Sequence, residues 1–258
     1  MVKKFTHNPV KQKLRAGKPA VGTWLSLCSA IAAETMGHIG WDWLVVDVQH
    51  SPIGHENMVR CFQAITLTDA VPMARVAWND PIAIQRVLDA GAFGIVVPMV
   101  NSAEDAKRAV GATKYAPQGY RSSGGGRLGL YVDDLFTWSN EELLVVVMIE
   151  HIKAVEAAKE ILSVEGVDAC FIGPGDLAAS MGFHPREATQ HPEHEEAIMR
   201  VLEAGKEVGT PVGKHCYSAE EIRQRIAQGF QFLAFNSDAR FLNREAEREF
   251  AKIKDLLA

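Results

Sequence analysis

The sequence lacks the features that mark several classes of protein. Its 258 residues contain no basic cluster and no interleaving of aromatic with basic residues, and the formal net charge at pH 7 is −5. Nucleic-acid-binding proteins present a basic surface, so we expect no nucleic-acid partner. No apolar run reaches the roughly 18 residues that cross a membrane, and the first residues carry no apolar signal core. We therefore expect a soluble, cytoplasmic protein with no membrane partner.

Cysteine is scarce and has no pattern. The four cysteines are Cys28, Cys61, Cys170 and Cys216. No two of them have C-x-x-C spacing, and three lie in or beside apolar, strand-like runs. This distribution is typical of reduced, mostly buried thiols in a cytosolic protein.

Two motifs of well-known enzyme classes are also missing. There is no G-x-S-x-G sequence, so serine hydrolase chemistry has no support. The glycine-rich run RSSGGGRLG at 121–129 matches neither the P-loop nor the dinucleotide fingerprint. We interpret it as a mobile loop at the mouth of the site. It falls in one of two long non-helical stretches, 115–140 and 180–191, and loops of that length are often functional.

What the sequence does contain is a repeated alternation of strand and helix. Apolar strand-like runs occupy 21–27, 43–49, 71–77, 94–100, 145–150, 168–173, 210–216 and 232–237. Helical patterns occupy 30–39, 55–66, 81–90, 103–113, 152–162, 192–208, 219–227 and the segment after Asp238. Most strands are continuously apolar, as in parallel sheets covered on both faces. We predict an α/β fold, a closed (β/α)8 TIM barrel, with a doubly wound open sheet as the alternative.

No domain break interrupts this alternation. We therefore predict one barrel domain over residues 1–258. It includes a short basic helix at about 8–16, before the first strand, with Asn8 as its N-cap. The 47% hydrophobic content is sufficient for one large core.

Two carboxylates stand at the ends of successive strands. Glu150 ends the run LLVVVMIE, and Asp176 follows the turn Gly-Pro-Gly after the next run. Parallel strands that flank a crossover helix are usually neighbours, so both acids should meet at one end of the sheet. Two carboxylates there favour a divalent cation such as Mg²⁺ or Mn²⁺. Helix capping or ordinary ion pairing is the alternative.

Further polar residues occur at other predicted strand ends. Asp47 and His50 in VVDVQHSP form an acid–histidine combination suited to general base catalysis, unless His50 is merely an exposed loop residue. Arg75 ends an apolar strand, where a guanidinium needs an anion, either a substrate oxyanion or an internal acid such as Asp47 or Glu150. Trp24 lies near the end of the first strand-like run. Gly175 lies in a turn whose backbone N–H groups suit a carboxylate or phosphate.

The remaining basic and imidazole side chains receive simpler interpretations. Lys214 keeps a Schiff-base aldolase as a minor alternative. His215, near the end of the seventh strand, either packs as a wall residue or lines the mouth. The other histidines are interpreted as surface residues: His7, His38, His55, His151, His184, His191 and His194.

Taken together, several segments resemble one family. They are GTWLSL, VVDVQHSP, RVAWNDP, VLDAGAFGIVVPMV, VVVMIE and VEGVDACFIGPGDL. The chain resembles the HpcH/HpaI family of metal-dependent class II 2-oxo acid aldolases, which includes 4-hydroxy-2-oxoheptanedioate and 2-keto-3-deoxy acid aldolases. The resemblance covers nearly the whole chain from about Val21.

The resemblance implies a (β/α)8 barrel and a role for each matching residue. Glu150 and Asp176 would bind the metal (Mg²⁺, Mn²⁺ or Co²⁺), and His50, supported by Asp47, would move the proton. Arg75 would hold the 2-oxo oxygen. The remaining implied site residues are Gly175 and Asp176, whose amides hold the substrate carboxylate, Trp24 near the mouth, and Asp89, which approaches the histidine from a neighbouring subunit. The implied assembly is a homohexamer, a dimer of trimers, in which the last helix is often swapped between barrels.

The implied activity is that of an aldehyde-lyase. It would reversibly cleave a 4-hydroxy-2-oxo acid to an aldehyde and pyruvate, or a related 2-oxo acid such as hydroxypyruvate. Another metal–enolate lyase or hydrolase, acting on phosphonopyruvate-like or CoA-ester substrates, and a non-catalytic 2-oxo acid binding barrel are the alternatives. Two departures leave donor and acceptor open: Met148 replaces a common glutamine, and the tract 122–129 differs from relatives.

Overall fold

Eight parallel strands close into a barrel in the computed structural model, which describes residues 5–257. Each strand pairs with the next along the chain, and the last pairs with the first. The strands are β1 (Ala20–Leu25), β2 (Trp43–Asp47), β3 (Val71–Arg75), β4 (Gly94–Val97), β5 (Leu144–Ile149), β6 (Ala169–Ile172), β7 (Val212–Cys216) and β8 (Phe232–Ser237). The predicted (β/α)8 barrel is confirmed, and the open-sheet alternative is wrong.

Helices surround this barrel. The α-helices are α1 (Pro9–Arg15), α2 (Ala30–Gly37), α3 (His55–Ile65), α4 (Pro81–Asp89), α5 (Ala103–Thr113), α6 (Leu135–Glu142), α7 (Ile152–Glu156), α8 (Ala158–Leu162), α9 (Pro174–Ser180), α10 (Pro192–Val208), α11 (Ala219–Gln228) and α12 (Asp238–Phe250). Short 3₁₀ helices occupy Arg127–Leu130, Pro185–Gln190 and Lys254–Leu256.

The two stretches predicted as long loops contain regular structure. The first holds the 3₁₀ turn Arg127–Leu130 and helix α6, and the second holds the 3₁₀ turn Pro185–Gln190. The single helix predicted at 152–162 is interrupted at Ala157, whose ψ of 10° separates α7 from α8. Several predicted strands run beyond the observed ladder because apolar residues continue after the last paired position.

Capping residues set the helix boundaries as the sequence indicated. The side chains of Asp80, Ser102 and Ser218 each accept a hydrogen bond from a backbone N–H in the first turn of the following helix. Gly229 ends α11 with a φ of +105°, a left-handed conformation that costs glycine no steric strain. Asn8 caps α1, as predicted.

Aromatic rings fill the barrel interior. Trp43 and Phe232 stack with their ring centroids 4.5 Å apart, and Phe171 packs edge-on against both Phe232 and Trp24. Space for this column depends on glycine, because a Cβ at Gly22 would lie 2.1 Å from the Trp43 ring. The column supports Trp24 from below, at the end of the barrel where the strands finish.

Helix α12 packs on its own barrel mainly through its first turns. Phe241 stacks on Trp41 with ring centroids 6.2 Å apart and packs edge-on against Phe235. The other large apolar side chains of α12, Leu242 and Phe250, are exposed, as are Ile253, Leu256 and Leu257 in the segment that follows the helix.

Two sequence-based expectations concern the protein's surroundings. All four cysteines are free thiols, and three are buried, as predicted. Within residues 5–257, no helix combines the length and the apolar character needed to span a bilayer. The cytoplasmic location stays a prediction.

Candidate active site

A cavity of about 380 Å³ opens at the carboxyl ends of the strands. Seven of the eight predicted site residues line it: Trp24, Asp47, His50, Arg75, Glu150, Gly175 and Asp176. Active sites of (β/α)8 enzymes lie at this end of the barrel. The lining holds three carboxylates, those of Asp47, Glu150 and Asp176, against the single guanidinium of Arg75.

Arg75 is held in place by Asp47. Both residues end neighbouring strands and stand opposite each other in the ladder. Arg75 Nε donates to Asp47 Oδ1 at 2.9 Å and Nη2 donates to Oδ2 at 2.6 Å. The guanidinium also lies over the Trp24 ring, 4.6 Å from its centroid. A bidentate pair and a ring contact fix the guanidinium plane, and Nη1 has no protein partner among the described residues.

The imidazole of His50 lies at the exposed rim of the cavity. Asp47 reaches His50 only through the backbone, because Oδ1 accepts the His50 N–H at 3.2 Å and the Gln49 N–H at 3.1 Å. No side chain of residues 5–257 hydrogen-bonds the His50 imidazole. Asp47 therefore shapes the turn that carries His50 and orients Arg75, one of the two partners that its position in the sequence predicts.

Glu150 is almost completely buried, with 2% of its surface exposed. Its Oε1 accepts the backbone N–H of Met99 at 2.7 Å. Burial, together with the nearby charge of Asp176, raises the pKa of the Glu150 carboxyl to about 6. Met148 is also part of the cavity lining and gives it an apolar surface beside the carboxylate.

The turn before Asp176 leaves room around the second oxygen of Glu150. A Cβ at Gly173 would come within 2.7 Å of Glu150 Oε2, so glycine keeps that oxygen open. Asp176 lies in the first turn of α9, one strand further around the barrel. The guanidinium of Arg75 in the same lining pairs with Asp47, and no described residue forms an ion pair with Glu150. The oxygen donors of two neighbouring carboxylates suit Mg²⁺ or Mn²⁺. These residues fit a divalent cation.

Trp24 connects the pair of Arg75 and Asp47 with His215. Trp24 Nε1 donates to His215 Nδ1 at 3.0 Å. His215 is largely buried and lines the same cavity, as does Tyr217, whose ring centroid lies 4.7 Å from that of His215. Of the two possibilities for His215 left open by the sequence, the structure supports the one that places it at the cavity.

The sequence did not point to two residues of this region: Tyr217, which lines the cavity, and Met99, which binds the lining residue Glu150. Met99 donates its N–H to Glu150 from a left-handed conformation with a φ of +55°. Nothing in the sequence indicates this conformation, which non-glycine residues rarely adopt. Tyr217 follows β7 directly, so an inspection of residues after each strand end would have found it.

Asp89 does not belong to this cavity in a single copy of the chain. It ends α4, which runs back from the carboxyl ends of the strands, so it lies at the opposite end of the barrel. Its carboxylate accepts from Arg121 Nη2 at 2.7 Å. Its role in the site of a neighbouring copy stays a prediction.

Two other interpretations change with the structure. Lys214 lies outside the cavity lining, with its ammonium donating to Glu221 Oε1 at 2.5 Å and to the His215 carbonyl at 2.9 Å. A charged, paired lysine is a poor nucleophile, so the Schiff-base alternative has no structural support.

The surface interpretation of His194 is wrong. His194 is 5% exposed because α10 packs beside α9, and His194 Nε2 lies 2.9 Å from the Pro174 carbonyl oxygen.

Sequence comparisons agree on one family. The profile described as HpcH/HpaI aldolase/citrate lyase matches residues 20–243. The chain is 38% identical over 249 residues to the 4-hydroxy-2-oxo-heptane-1,7-dioate aldolase of Shigella sonnei (strain Ss046), a match that covers 93% of this chain and 92% of that protein.

Structural comparisons give the same answer. An HpcH/HpaI aldolase/citrate lyase family protein from Burkholderia cenocepacia J2315 matches with a TM-score of 0.89 and 33% identity, covering 96% of this chain and 99% of that one. The citrate lyase β subunit of M. tuberculosis, solved with oxaloacetate and magnesium, matches with a TM-score of 0.60 and 14% identity, covering 88% and 95%. The second likeness shows the fold alone.

Proposed function

Since the chain belongs to the HpcH/HpaI aldolase/citrate lyase family, we propose that it is a divalent-metal-dependent, class II aldolase. It reversibly cleaves a 4-hydroxy-2-oxo acid to an aldehyde and pyruvate, or a related 2-oxo acid such as hydroxypyruvate. The observation that carries the proposal is the excess of carboxylate over guanidinium in the cavity. The name of the Shigella sonnei relative supports the same bond cleavage.

Glu150 and Asp176 are the residues that would hold the metal. When bound, the ion supplies Lewis-acid stabilisation of the negative charge that develops on the 2-oxo acid. Mg²⁺, Mn²⁺ and Co²⁺ are the candidate ions. The burial of Glu150 supports this assignment, because its ionised form gains more from a cation than an exposed carboxylate would.

Arg75 stabilises the enolate oxygen. Its Nε and Nη2 are taken by Asp47, which leaves Nη1 to donate to the 2-oxo oxygen of the substrate. A donor fixed before the reaction costs no reorganisation as charge develops. Trp24 contributes by holding the guanidinium plane from one side.

His50 moves the proton. In the cleavage direction it accepts the proton of the C4 hydroxyl, the C3–C4 bond breaks, and the bonding electron pair passes into the enolate as the aldehyde leaves. A proton then adds at C3 to give the 2-oxo acid. The exposed rim position of His50 allows this exchange with solvent.

The substrate carboxylate is held at the start of α9. Backbone N–H groups of the first helical turn have no intrahelical acceptor, and those of Gly175 and Asp176 lie at the cavity. They would fix the carboxylate end of the 2-oxo acid beside the two metal-binding carboxylates.

We further propose that the chain assembles as a homohexamer, a dimer of trimers, in which a neighbouring copy supplies Asp89. The exposed apolar side chains at the end of α12 and just after it, Phe250, Ile253, Leu256 and Leu257, suit contact with another copy. Sedimentation velocity is expected to give six times the chain mass. A monomer with full activity would contradict both the assembly and the role of Asp89.

Proton exchange tests the enolate chemistry without a choice of aldehyde. In D₂O, the methyl protons of pyruvate should exchange for deuterium, as followed by NMR, only when enzyme and Mg²⁺, Mn²⁺ or Co²⁺ are both present. EDTA followed by dialysis should abolish exchange, and added metal should restore it. Full exchange and full aldolase activity after removal of metal would reject the proposal.

A further inference from the structure

The tautomer of His215 is fixed by its neighbour. Trp24 Nε1 carries a hydrogen and has no lone pair to offer, so in their 3.0 Å contact it donates and His215 Nδ1 accepts. A neutral imidazole that accepts at Nδ1 carries its proton on Nε2. The edge-on contact with the Tyr217 ring holds the plane of the imidazole.

The surroundings keep this imidazole neutral. Burial, followed by the neighbouring charge of Lys214, lowers the pKa of His215 to about 4. Arg240 and Arg75 act in the same direction, and Glu221 opposes them. His215 therefore stays neutral near pH 7 and is unsuited to take up a proton there.

The remaining nitrogen is available to a ligand. His215 lines the catalytic cavity. No described residue hydrogen-bonds its Nε2, and that atom is not fully buried. The Nε2–H is thus a neutral donor open to the cavity, on the wall beside Trp24 and Tyr217.

We propose that His215 determines specificity by donating a hydrogen bond from Nε2–H to a substrate hydroxyl. The enzyme then prefers substrates that carry a hydroxyl where an alkyl analogue carries a methyl group. A site that offers a donor discriminates against the analogue that leaves it unpaired. The inference rests on the proposed aldolase function.

The hydroxyl belongs either to the 2-oxo acid or to the aldehyde, and two pairs of substrates distinguish these sources. Hydroxypyruvate is compared with 2-oxobutanoate using acetaldehyde as a common acceptor. Glycolaldehyde is compared with propionaldehyde using pyruvate as a common donor. Each pair differs only by a hydroxyl in place of a methyl group. The measured quantity is the ratio of kcat/KM values within a pair, so a general loss of activity cancels.

Two substitutions separate the nitrogens of His215. The amide of His215→Asn reaches only the Nδ1 position, where its oxygen accepts from Trp24, and it removes the donor at Nε2. The longer amide of His215→Gln restores a donor near Nε2. Exposed His38, outside the cavity, provides the matched control His38→Asn. Circular dichroism checks folding, and His215→Leu replaces His215→Asn should the latter not fold.

The expected result is a ratio above one for the wild type in one pair, lowered about three- to tenfold by His215→Asn. His215→Gln should retain most of the ratio, and His38→Asn all of it. Unchanged ratios in His215→Asn for both pairs, or an equal loss in His215→Gln, overturn the inference while leaving the aldolase intact. A wild type without metal-dependent exchange at C3 of pyruvate overturns the proposed function, and the inference with it.

Discussion

The two ends of the barrel differ in how completely their charged side chains are paired within the protein. At the amino end, lysines of α1 pair with acids that precede the strands: Lys11 Nζ lies 2.8 Å from Asp168, and Lys13 Nζ lies 2.8 Å from Asp42. These acids also accept backbone N–H groups at the strand starts. At the carboxyl end, the cavity lining holds three carboxylates and one guanidinium, and that guanidinium pairs with Asp47.

This difference in charge pairing indicates that the amino end contributes mainly to stability and the carboxyl end mainly to activity. Paired charges at the amino end fasten α1 to the barrel and are satisfied without any ligand. At the carboxyl end, burial penalises the ionised form of Glu150, so this region gains from a cation that the protein itself does not provide. We therefore expect substitutions at the amino end to change stability and substitutions at the cavity to change activity.

The largest effect on activity is expected from Glu150→Gln, and Glu142→Gln is its matched control. Glu150→Gln should lower kcat/KM about a thousandfold, or about 4 kcal/mol, because it removes one of the two carboxylates proposed to hold the metal. Stability without metal should stay within about 1 kcal/mol of wild type, because the amide avoids a buried charge.

Glu142 at the amino end is the control. Its carboxylate accepts the Asn8 N–H at 2.8 Å, so Glu142→Gln should lose about 1 kcal/mol of stability and keep wild-type kcat/KM. Enzyme kinetics and urea unfolding measure the two quantities. A Glu150→Gln enzyme with wild-type activity would remove the contrast between the two ends.

Lys11→Met tests the amino end directly. It removes the ion-pair partner of the partly buried Asp168 carboxylate and leaves only the neighbouring charge of Lys114, so it should lower the free energy of unfolding by about 2 kcal/mol. The second change Asp168→Asn should recover part of this loss, since the amide oxygen still accepts the Val145 N–H. Urea titrations of the single and double variants give the coupling. Activity per folded molecule should remain at the wild-type level, and a specific loss of kcat would contradict the comparison.

The architecture followed from the sequence because it depends on local pattern. Continuous apolar runs of strand length, each followed by a helical pattern, identify buried parallel strands wherever they lie in space. The site residues followed from the same pattern, since the carboxyl ends of parallel strands converge. The sequence pattern alone therefore predicts that Glu150 and Asp176 lie at the same end of the sheet, and both line the cavity.

The parts that the sequence did not predict depend on contacts between distant segments. Asp47 has two candidate partners in the sequence, His50 and Arg75. The register of the ladder sets Asp47 opposite Arg75 and so decides between them. His194 occupies a polar stretch and is buried solely because α10 packs beside α9. The left-handed backbone of Met99 is imposed by surrounding structure and has no counterpart in residue preference.

Arg75→Lys sharpens the comparison at the cavity. A lysine cannot reproduce the two parallel hydrogen bonds to Asp47 or the stacking on Trp24. We expect kcat to fall about a hundredfold because the donor to the 2-oxo oxygen loses its fixed orientation. Binding of Mg²⁺, measured by calorimetry, should change little, since the carboxylates of Glu150 and Asp176 remain. Equal losses of metal affinity and of kcat would show that Arg75 acts on the metal site rather than on the substrate.

A further effect, smaller than those of Glu150→Gln and Arg75→Lys, concerns stability in acid and arises at the cavity end. The pKa of His215 is lowered to about 4, so between pH 7 and pH 5 the unfolded chain takes up a proton on this residue that the folded protein does not. Unfolding is therefore favoured by about 2 kcal/mol at pH 5 relative to pH 7 from this residue alone. His215→Asn and His215→Leu both remove the proton site, so both should flatten the dependence of the unfolding free energy on pH by that amount. Urea titrations at the two pH values measure it, and wild-type slopes in both variants would mean that His215 binds protons equally in both states.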